Sequence, residues 1–132
     1  MYEVPRGPFY LLDLPGYGYA RASKSERAAF AHLVRHVLHR QRLAGVVWLL
    51  DVRHEPAAND RAMQDLLAAS GVGVLAAVTK GDKVSRRLRV GRERALRASL
   101  ALDADQVVLT SARTGLGIPE LREAIAALAA QA

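Results

Sequence analysis

Three short apolar runs, each leading into a polar loop, most constrain the fold of this 132-residue chain. The runs are Val46–Leu50, Gly73–Val78 and Gln106–Leu109. Each has the length of a buried strand and lacks the alternation of a strand that faces water. Helical patterns follow over residues 57–69, over residues 86–100 and from Pro119 onward. Strands that alternate with helices predict an α/β fold in three layers, a mostly parallel sheet with helices on both faces.

The first part of the chain predicts a hairpin and a helix. Residues 2–4 end one strand, a turn follows over 5–8, and Phe9–Leu12 returns as a strand that we expect to be buried. Ser23 and Glu26 have the spacing of a capping box. They predict a helix of about four turns that begins near Ser23.

The composition excludes several classes of protein. Hydrophobic residues make up 51% of the chain, enough for a core, and the length suits one domain over residues 1–132. The chain has no cysteine, which excludes a disulfide scaffold and a thiolate metal site. No apolar run reaches the ~20 residues of a membrane span, and no signal peptide is visible. We expect a cytoplasmic monomer, and the net charge of +6 favours a polyanion such as RNA as a partner.

A carboxylate and a glycine-containing loop follow the strand at Phe9–Leu12. Asp13 at a strand end can hold Mg²⁺ through a water molecule, and the amide of Gly16 can meet a terminal phosphate. We therefore expect Asp13, Leu14, Pro15 and Gly16 to contact a bound nucleotide. The alternative is a strand end with a Pro-Gly turn.

Two later loops fit the recognition of guanine. The Asp82 carboxylate can accept hydrogen bonds from N1–H and from the exocyclic amine of guanine, a donor pair that adenine lacks. The stem of Lys80 can lie across the flat face of the base. Ser111 and Ala112 are small, so their backbone N–H groups can approach O6. The alternative for Lys80 and Asp82 is an exposed turn with an ion pair. Asp51 and Arg53 either have a functional role or form a local ion pair that shapes their loop, and we favour the ion pair.

The runs Asp13–Ala20, Asp51-x-Arg53-His54 and Thr79–Lys83 together resemble the EngB family, also called YihA or YsxC, across essentially the whole chain. The resemblance implies a P-loop GTPase fold that binds GTP or GDP with Mg²⁺. It adds Thr79 and Gly81 to the guanine loop, with Thr79 in the place where most GTPases have Asn. It also implies a role in assembly of the large ribosomal subunit, contact with ribosomal RNA, and a link to cell division and septation. The basic stretch 86–97 would then face RNA.

One part of the family pattern is missing from these residues. A P-loop needs the sequence Gly-x-x-x-x-Gly-Lys-[Ser/Thr], and the chain contains no Gly-Lys pair. The resemblance places the P-loop, its strand and the first switch before residue 1. We therefore expect the C-terminal two-thirds of a G domain, with GTPase activity left open. The alternatives are an RNA- or ribosome-binding remnant that works without nucleotide, and a generic flavodoxin-like or receiver-like domain.

Overall fold

The structure, a computed structural model, describes residues 2–3, 9–14 and 23–130. The chain divides into two units, residues 1–43 and residues 44–132. The first unit contains strand β1 (Tyr2–Glu3), strand β2 (Tyr10–Leu11) and helix α1 (Lys24–Leu38).

The predicted hairpin is confirmed, but its second strand is not buried. Strands β1 and β2 pair in antiparallel fashion, with Tyr2 opposite Leu11 and Glu3 opposite Tyr10. Tyr10 and Leu11 are 63% and 42% exposed, so the expectation of a buried strand was wrong. A ribbon with only two residue pairs offers too little neighbouring surface to cover apolar side chains.

Helix α1 begins where the capping pattern places it. The Ser23 hydroxyl accepts a hydrogen bond from the backbone N–H of Glu26 at 3.1 Å, which satisfies one of the free amides of the first turn. Of the apolar residues on one side of α1, Val34 and Val37 are buried, whereas Leu33 is exposed. The buried face of α1 is therefore narrower than the apolar stripe that its sequence forms.

The second unit alternates strands with helices. Its three strands agree with the predicted runs to within one residue at each end. The elements are β3 (Val46–Asp51), α2 (Ala58–Ser70), β4 (Val74–Thr79), α3 (Arg86–Leu100), β5 (Val107–Leu109) and α4 (Ile118–Ala130), with short 3-10 turns at Gly81–Lys83 and Ala104–Gln106.

Strands β3, β4 and β5 form one open parallel sheet in that order. The central strand β4 is almost fully buried, with Ala76, Ala77 and Val78 at most 1% exposed. A parallel sheet joined by helical crossovers confirms the predicted α/β class. Asp51 lies opposite Thr79, and Val78 lies opposite Leu109, so the carboxyl ends of the strands meet at one edge.

The helices of the second unit supply the rest of its core. Met63 and Leu67 of α2 are buried, as are Leu96 and Leu100 of α3. Leu121, Ile125 and Leu128 of α4 are half-buried. No helix in the described part of the chain combines the length and the apolar character needed to cross a lipid bilayer.

Candidate functional site

The carboxyl ends of β3, β4 and β5 are tied together by hydrogen bonds. Val52 donates its backbone N–H to the carbonyl of Thr79 at 3.0 Å, and the Thr79 hydroxyl donates to the carbonyl of Leu50 at 3.3 Å. On the other side, Thr110 donates its backbone N–H to the carbonyl of Val78 at 2.7 Å. The loops that follow the three strands therefore start from a fixed edge.

Gly81 allows the loop after β4 to press against the loop after β5. Its backbone N–H donates to the Thr110 carbonyl at 2.8 Å, and the residue is buried. A Cβ at this position would lie 3.1 Å from the Thr110 oxygen and 3.1 Å from Cδ2 of Leu116. The glycine of the Thr79–Asp82 motif therefore has a packing reason, since a side chain would push the two loops apart.

Asp82 and Ser111 join the two loops through their side chains. The Ser111 hydroxyl, which is completely buried, donates to Oδ1 of Asp82 at 2.8 Å. This hydrogen bond is the main reason that the pKa of Asp82 is lowered, so the carboxyl group is ionised at neutral pH. Oδ2 of Asp82 lies 3.9 Å from the Lys83 ammonium. Sequence reasoning placed these residues in one site, and the structure brings them into contact.

The loop after β5 leaves one amide for a ligand instead of two. Ser111 donates its backbone N–H to the carbonyl of Leu116 at 2.9 Å, which closes the loop on itself. The Ser111 amide is therefore occupied within the loop, and a contact of Ser111 with a base stays a prediction. Ala112 is exposed, and its backbone N–H has no acceptor among the described residues.

Gly117 makes that closure possible. It has a positive φ of 68°, and a Cβ there would collide with the backbone oxygen of Leu109. A side chain at Gly117 would therefore force the loop away from the end of β5.

Asp51 forms the local ion pair that we favoured from the sequence. Its carboxylate binds the Arg53 guanidinium at 2.7 Å and also lies 3.4 Å from Nζ of Lys80. The hydrogen bond from Arg53 is the main cause that holds the pKa of Asp51 well below its usual range. Lys80 is thus in an ion pair, but with Asp51 of β3 and not with Asp82 of its own turn, and 54% of its side chain remains exposed.

Two arginines of α3 hold these loops in place, a role that sequence reasoning missed. Nε of Arg89 donates to the carbonyls of Gly81 and Val84, at 3.0 and 3.1 Å. Nη2 of Arg92 donates to the carbonyl of Arg53 at 2.6 Å. Helical periodicity could have found them, because Arg89 and Arg92 lie on the same stripe of α3 as its buried leucines.

Several known proteins are similar to this chain over most of its length. No protein-family model matches the chain. It is 49% identical over 92% of its length to a probable GTP-binding protein EngB of Gemmatimonas aurantiaca, and 41% identical over 96% to one of Syntrophomonas wolfei. It is 42% identical over 83% to one of Halothermothrix orenii. The chain belongs to the EngB family. It spans less than two thirds of these EngB proteins, covering 60%, 66% and 56% of their respective lengths.

The remaining expected EngB site residues lie in the first unit. Asp13 is exposed and Leu14 is half-buried, both just after β2. Pro15 and Gly16 lie outside the described residues. Within the described ranges no cluster of three potential metal ligands occurs. One carboxylate still fits Mg²⁺, because this ion keeps most of its waters and takes further oxygen ligands from phosphates.

Proposed function

We propose that residues 1–132 form part of an EngB-type G domain and bind guanine nucleotides, GTP and GDP. The observation that supports this is the pairing of an oriented acceptor with a free donor. The Asp82 carboxylate is held by buried Ser111, and the next residue, Ala112, offers an unused amide. Guanine presents the complementary set, two adjacent N–H donors and the O6 acceptor.

Each residue of the guanine loops has a separate task in this proposal. Asp82 accepts from N1–H and from the exocyclic amine, while Ala112 donates to O6. Lys80 covers one face of the base with its stem. Thr79 and Gly81 set the path of the loop through their bonds to β3 and to Thr110.

For the phosphates and Mg²⁺ we propose contacts from Asp13, Leu14, Pro15 and Gly16 of the first unit, as the resemblance to EngB implies. The Gly16 amide would donate to a phosphate oxygen. Asp13 would hold Mg²⁺ through a water molecule, and the ion would neutralise phosphate charge. One exposed carboxylate binds such an ion weakly by itself. The base loops therefore carry the selectivity, and the phosphate end adds affinity.

A nuclear magnetic resonance titration of the 132-residue chain with GDP and with ADP tests the proposal. We expect GDP to shift the amide resonances of Gly81, Asp82 and Ala112, and ADP to leave them in place. Equal shifts with both nucleotides, or none with either at millimolar concentration, would overturn guanine recognition.

The substitution Asp82→Asn sharpens this test. Its amide would donate to the carbonyl oxygen that xanthine carries in place of the guanine amine. We expect the variant to lose GDP-induced shifts and to gain them with xanthosine diphosphate. Asp65→Asn is the matched control, because Asp65 is an exposed aspartate of α2 with no side-chain partner among the described residues.

Binding to ribosomal RNA is the second proposed function, and helix α3 supports it. Arg86, Arg87 and Arg94 are exposed, and none has a hydrogen-bond or ion-pair partner in the described part of the chain. Arg87 and Arg94 are seven residues apart and share one face of the helix. These three arginines would contact phosphates, while Arg89 and Arg92 serve the loops. Assembly of the large ribosomal subunit, with the link to cell division and septation, depends on this contact.

Salt-dependent binding to large-subunit ribosomal RNA tests the second proposal. Replacing Arg86, Arg87 and Arg94 by Gln should weaken binding and reduce the salt slope by about one unit for each lost phosphate contact. The control replaces Arg27, Arg40 and Arg122, three exposed arginines elsewhere, and has the same net charge. Equal losses in both variants would mean attraction by net charge alone. Binding that GDP does not change, in a chain without GDP-induced shifts, would favour the nucleotide-independent remnant.

A further inference from the structure

Three basic side chains lie close to the Asp51 carboxylate at the carboxyl end of β3. Oδ1 accepts from the backbone N–H and from Nε of Arg53, at 2.9 and 3.1 Å. Oδ2 accepts from Nη2 of Arg53 at 2.7 Å and lies 3.4 Å from Nζ of Lys80. Nε2 of His54 is 3.9 Å away from the same oxygen. The Asp51 side chain is only 21% exposed, so solvent screens these contacts incompletely.

The position of this carboxylate is fixed from two sides. Asp51 is the last residue of β3 and pairs in register with Thr79 of β4. Its partner Arg53 is held in turn by Arg92 of α3, which donates to the Arg53 carbonyl at 2.6 Å. Asp51 is therefore a rigid anchor, whereas a lysine side chain is long and has many rotamers of its own.

Lys80 lies between this anchor and the guanine loop. Its backbone is left-handed, with φ 61° and ψ 34°, a conformation that is unfavourable for a residue with a Cβ. The carbonyl of Lys80 accepts the Lys83 amide at 2.9 Å, which closes the turn that carries Asp82. The ammonium group reaches back to Asp51 while 54% of the side chain stays exposed. The aliphatic stem is thus tethered at its far end and accessible along its length.

We propose that Asp51 is a positioning residue for guanine recognition, which holds the ammonium group of Lys80 so that the lysine stem is in place before the base arrives. This inference rests on the proposed nucleotide site and adds a residue to it. Asp51 itself does not contact the nucleotide. Its effect runs through Lys80, because tethering one end of a flexible side chain removes rotamer freedom that binding would otherwise have to remove.

A double-mutant cycle on the full chain tests the inference. Asp51→Asn removes the charge but keeps an oxygen that can accept from the Arg53 amide. We expect it to weaken GDP binding about twofold to fivefold, the range that a partly exposed ion pair supplies. In a Lys80→Gln background the same substitution should have no further effect, because the group that it positions is gone. Asp65→Asn is the control of equal charge and should leave GDP affinity unchanged.

Each result of the cycle decides between mechanisms. A loss that persists undiminished in the Lys80→Gln background would mean that Asp51 acts through the general structure of the loop, and would overturn the inference. Tighter GDP binding by Asp51→Asn would also overturn it, because the ion pair would then compete with the base for Lys80. If the parent chain shows no guanine-selective shifts, the proposed function fails, and the inference fails with it. If the parent binds GDP and Asp51→Asn binds it equally well, only the inference fails.

Discussion

At the residue scale, the buried Ser111 hydroxyl connects two loops that are far apart in the sequence. It donates to Oδ1 of Asp82 and accepts the backbone N–H of Thr114 at 3.2 Å. A serine can do both because its hydroxyl is a donor and an acceptor at once. The Asp82 carboxylate is therefore oriented before any ligand binds. The Ser111 hydroxyl that orients it is buried, but it has a partner both as donor and as acceptor.

Ser111→Ala should release Asp82 without filling any space. The pKa of Asp82 is lowered in the folded chain, so its stabilising contribution is complete above the unfolded value near 3.9 and is lost as the pH falls below that. In the variant we expect the pKa of Asp82 to rise towards 3.9 and this acid dependence to shrink. A carbon-detected titration of the aspartate carboxyl resonances measures it, with Asp65 as the internal control. An unchanged pKa of Asp82 would contradict the role of the serine.

Ala101 has a backbone conformation that is unfavourable for a residue with a Cβ atom. It ends α3 in the left-handed conformation, with φ 53° and ψ 46°, a position that glycine usually occupies. Ala101→Gly should raise the free energy of unfolding by up to about 1 kcal/mol, because it removes a strained Cβ. Ala98→Gly, one turn earlier on the same helix, should lower it by roughly 1 kcal/mol. Urea denaturation measures both, and a change of the same sign in the two variants would argue against the left-handed cap.

At the element scale, the side chains of helix α3 serve three different tasks. Leu96 and Leu100 are buried in the core of the second unit, Arg89 and Arg92 bind backbone carbonyls of the site, and Arg86, Arg87 and Arg94 face solvent. Its composition alone suggests a uniformly basic helix. The long stems of the arginines let half-buried positions keep their charged ends near carbonyl oxygens.

Two leucines of α3 give a matched test of this division. Leu100 is 2% exposed, whereas Leu88 is 54% exposed. Leu100→Ala should lower the free energy of unfolding by about 2–5 kcal/mol, because it leaves a cavity in the core. Leu88→Ala should change it by no more than about 0.5 kcal/mol. Thermal and urea unfolding measure both; comparable losses would mean that α3 is rotated relative to the face described here.

At the scale of the whole molecule, most of the buried apolar side chains among the described residues belong to residues 44–130, and β4 lies at their centre. Its residues Ala76–Val78 are at most 1% exposed, and the strand pairs with β3 on one side and with β5 on the other. We expect the amides of β4 to exchange with solvent more slowly than those of the edge strand β5. Hydrogen exchange followed by nuclear magnetic resonance measures this. Faster exchange in β4 than in β5 would show that the sheet does not open from its edge.

The sequence predicted which residues gather at the candidate site, but it did not predict the hydrogen bonds between them. Each apolar run ends in a distinctive polar sequence, and parallel strands bring such ends to one edge, so the grouping of Thr79–Asp82 with Ser111 followed from order and length alone. The occupation of the Ser111 amide by Leu116 could not be foreseen, because it depends on how the loop after β5 closes. The exposure of β2 was missed for a similar reason, since an apolar run is buried only if other elements cover it.

The alternation of strands and helices, the α/β class and the choice of residues proposed to read guanine all followed from the sequence alone. These depend on periodicity, on strand length and on side-chain chemistry, which are local properties. The local pair of Asp51 with Arg53 was foreseen, but the polar contacts between distant elements became known only from the tertiary structure. Lys80 and Asp51 are 29 positions apart, and Arg89 reaches the carbonyl of Gly81 eight positions before it. Such contacts depend on distances of a few ångströms between elements, and those distances are set by strand register and helix packing.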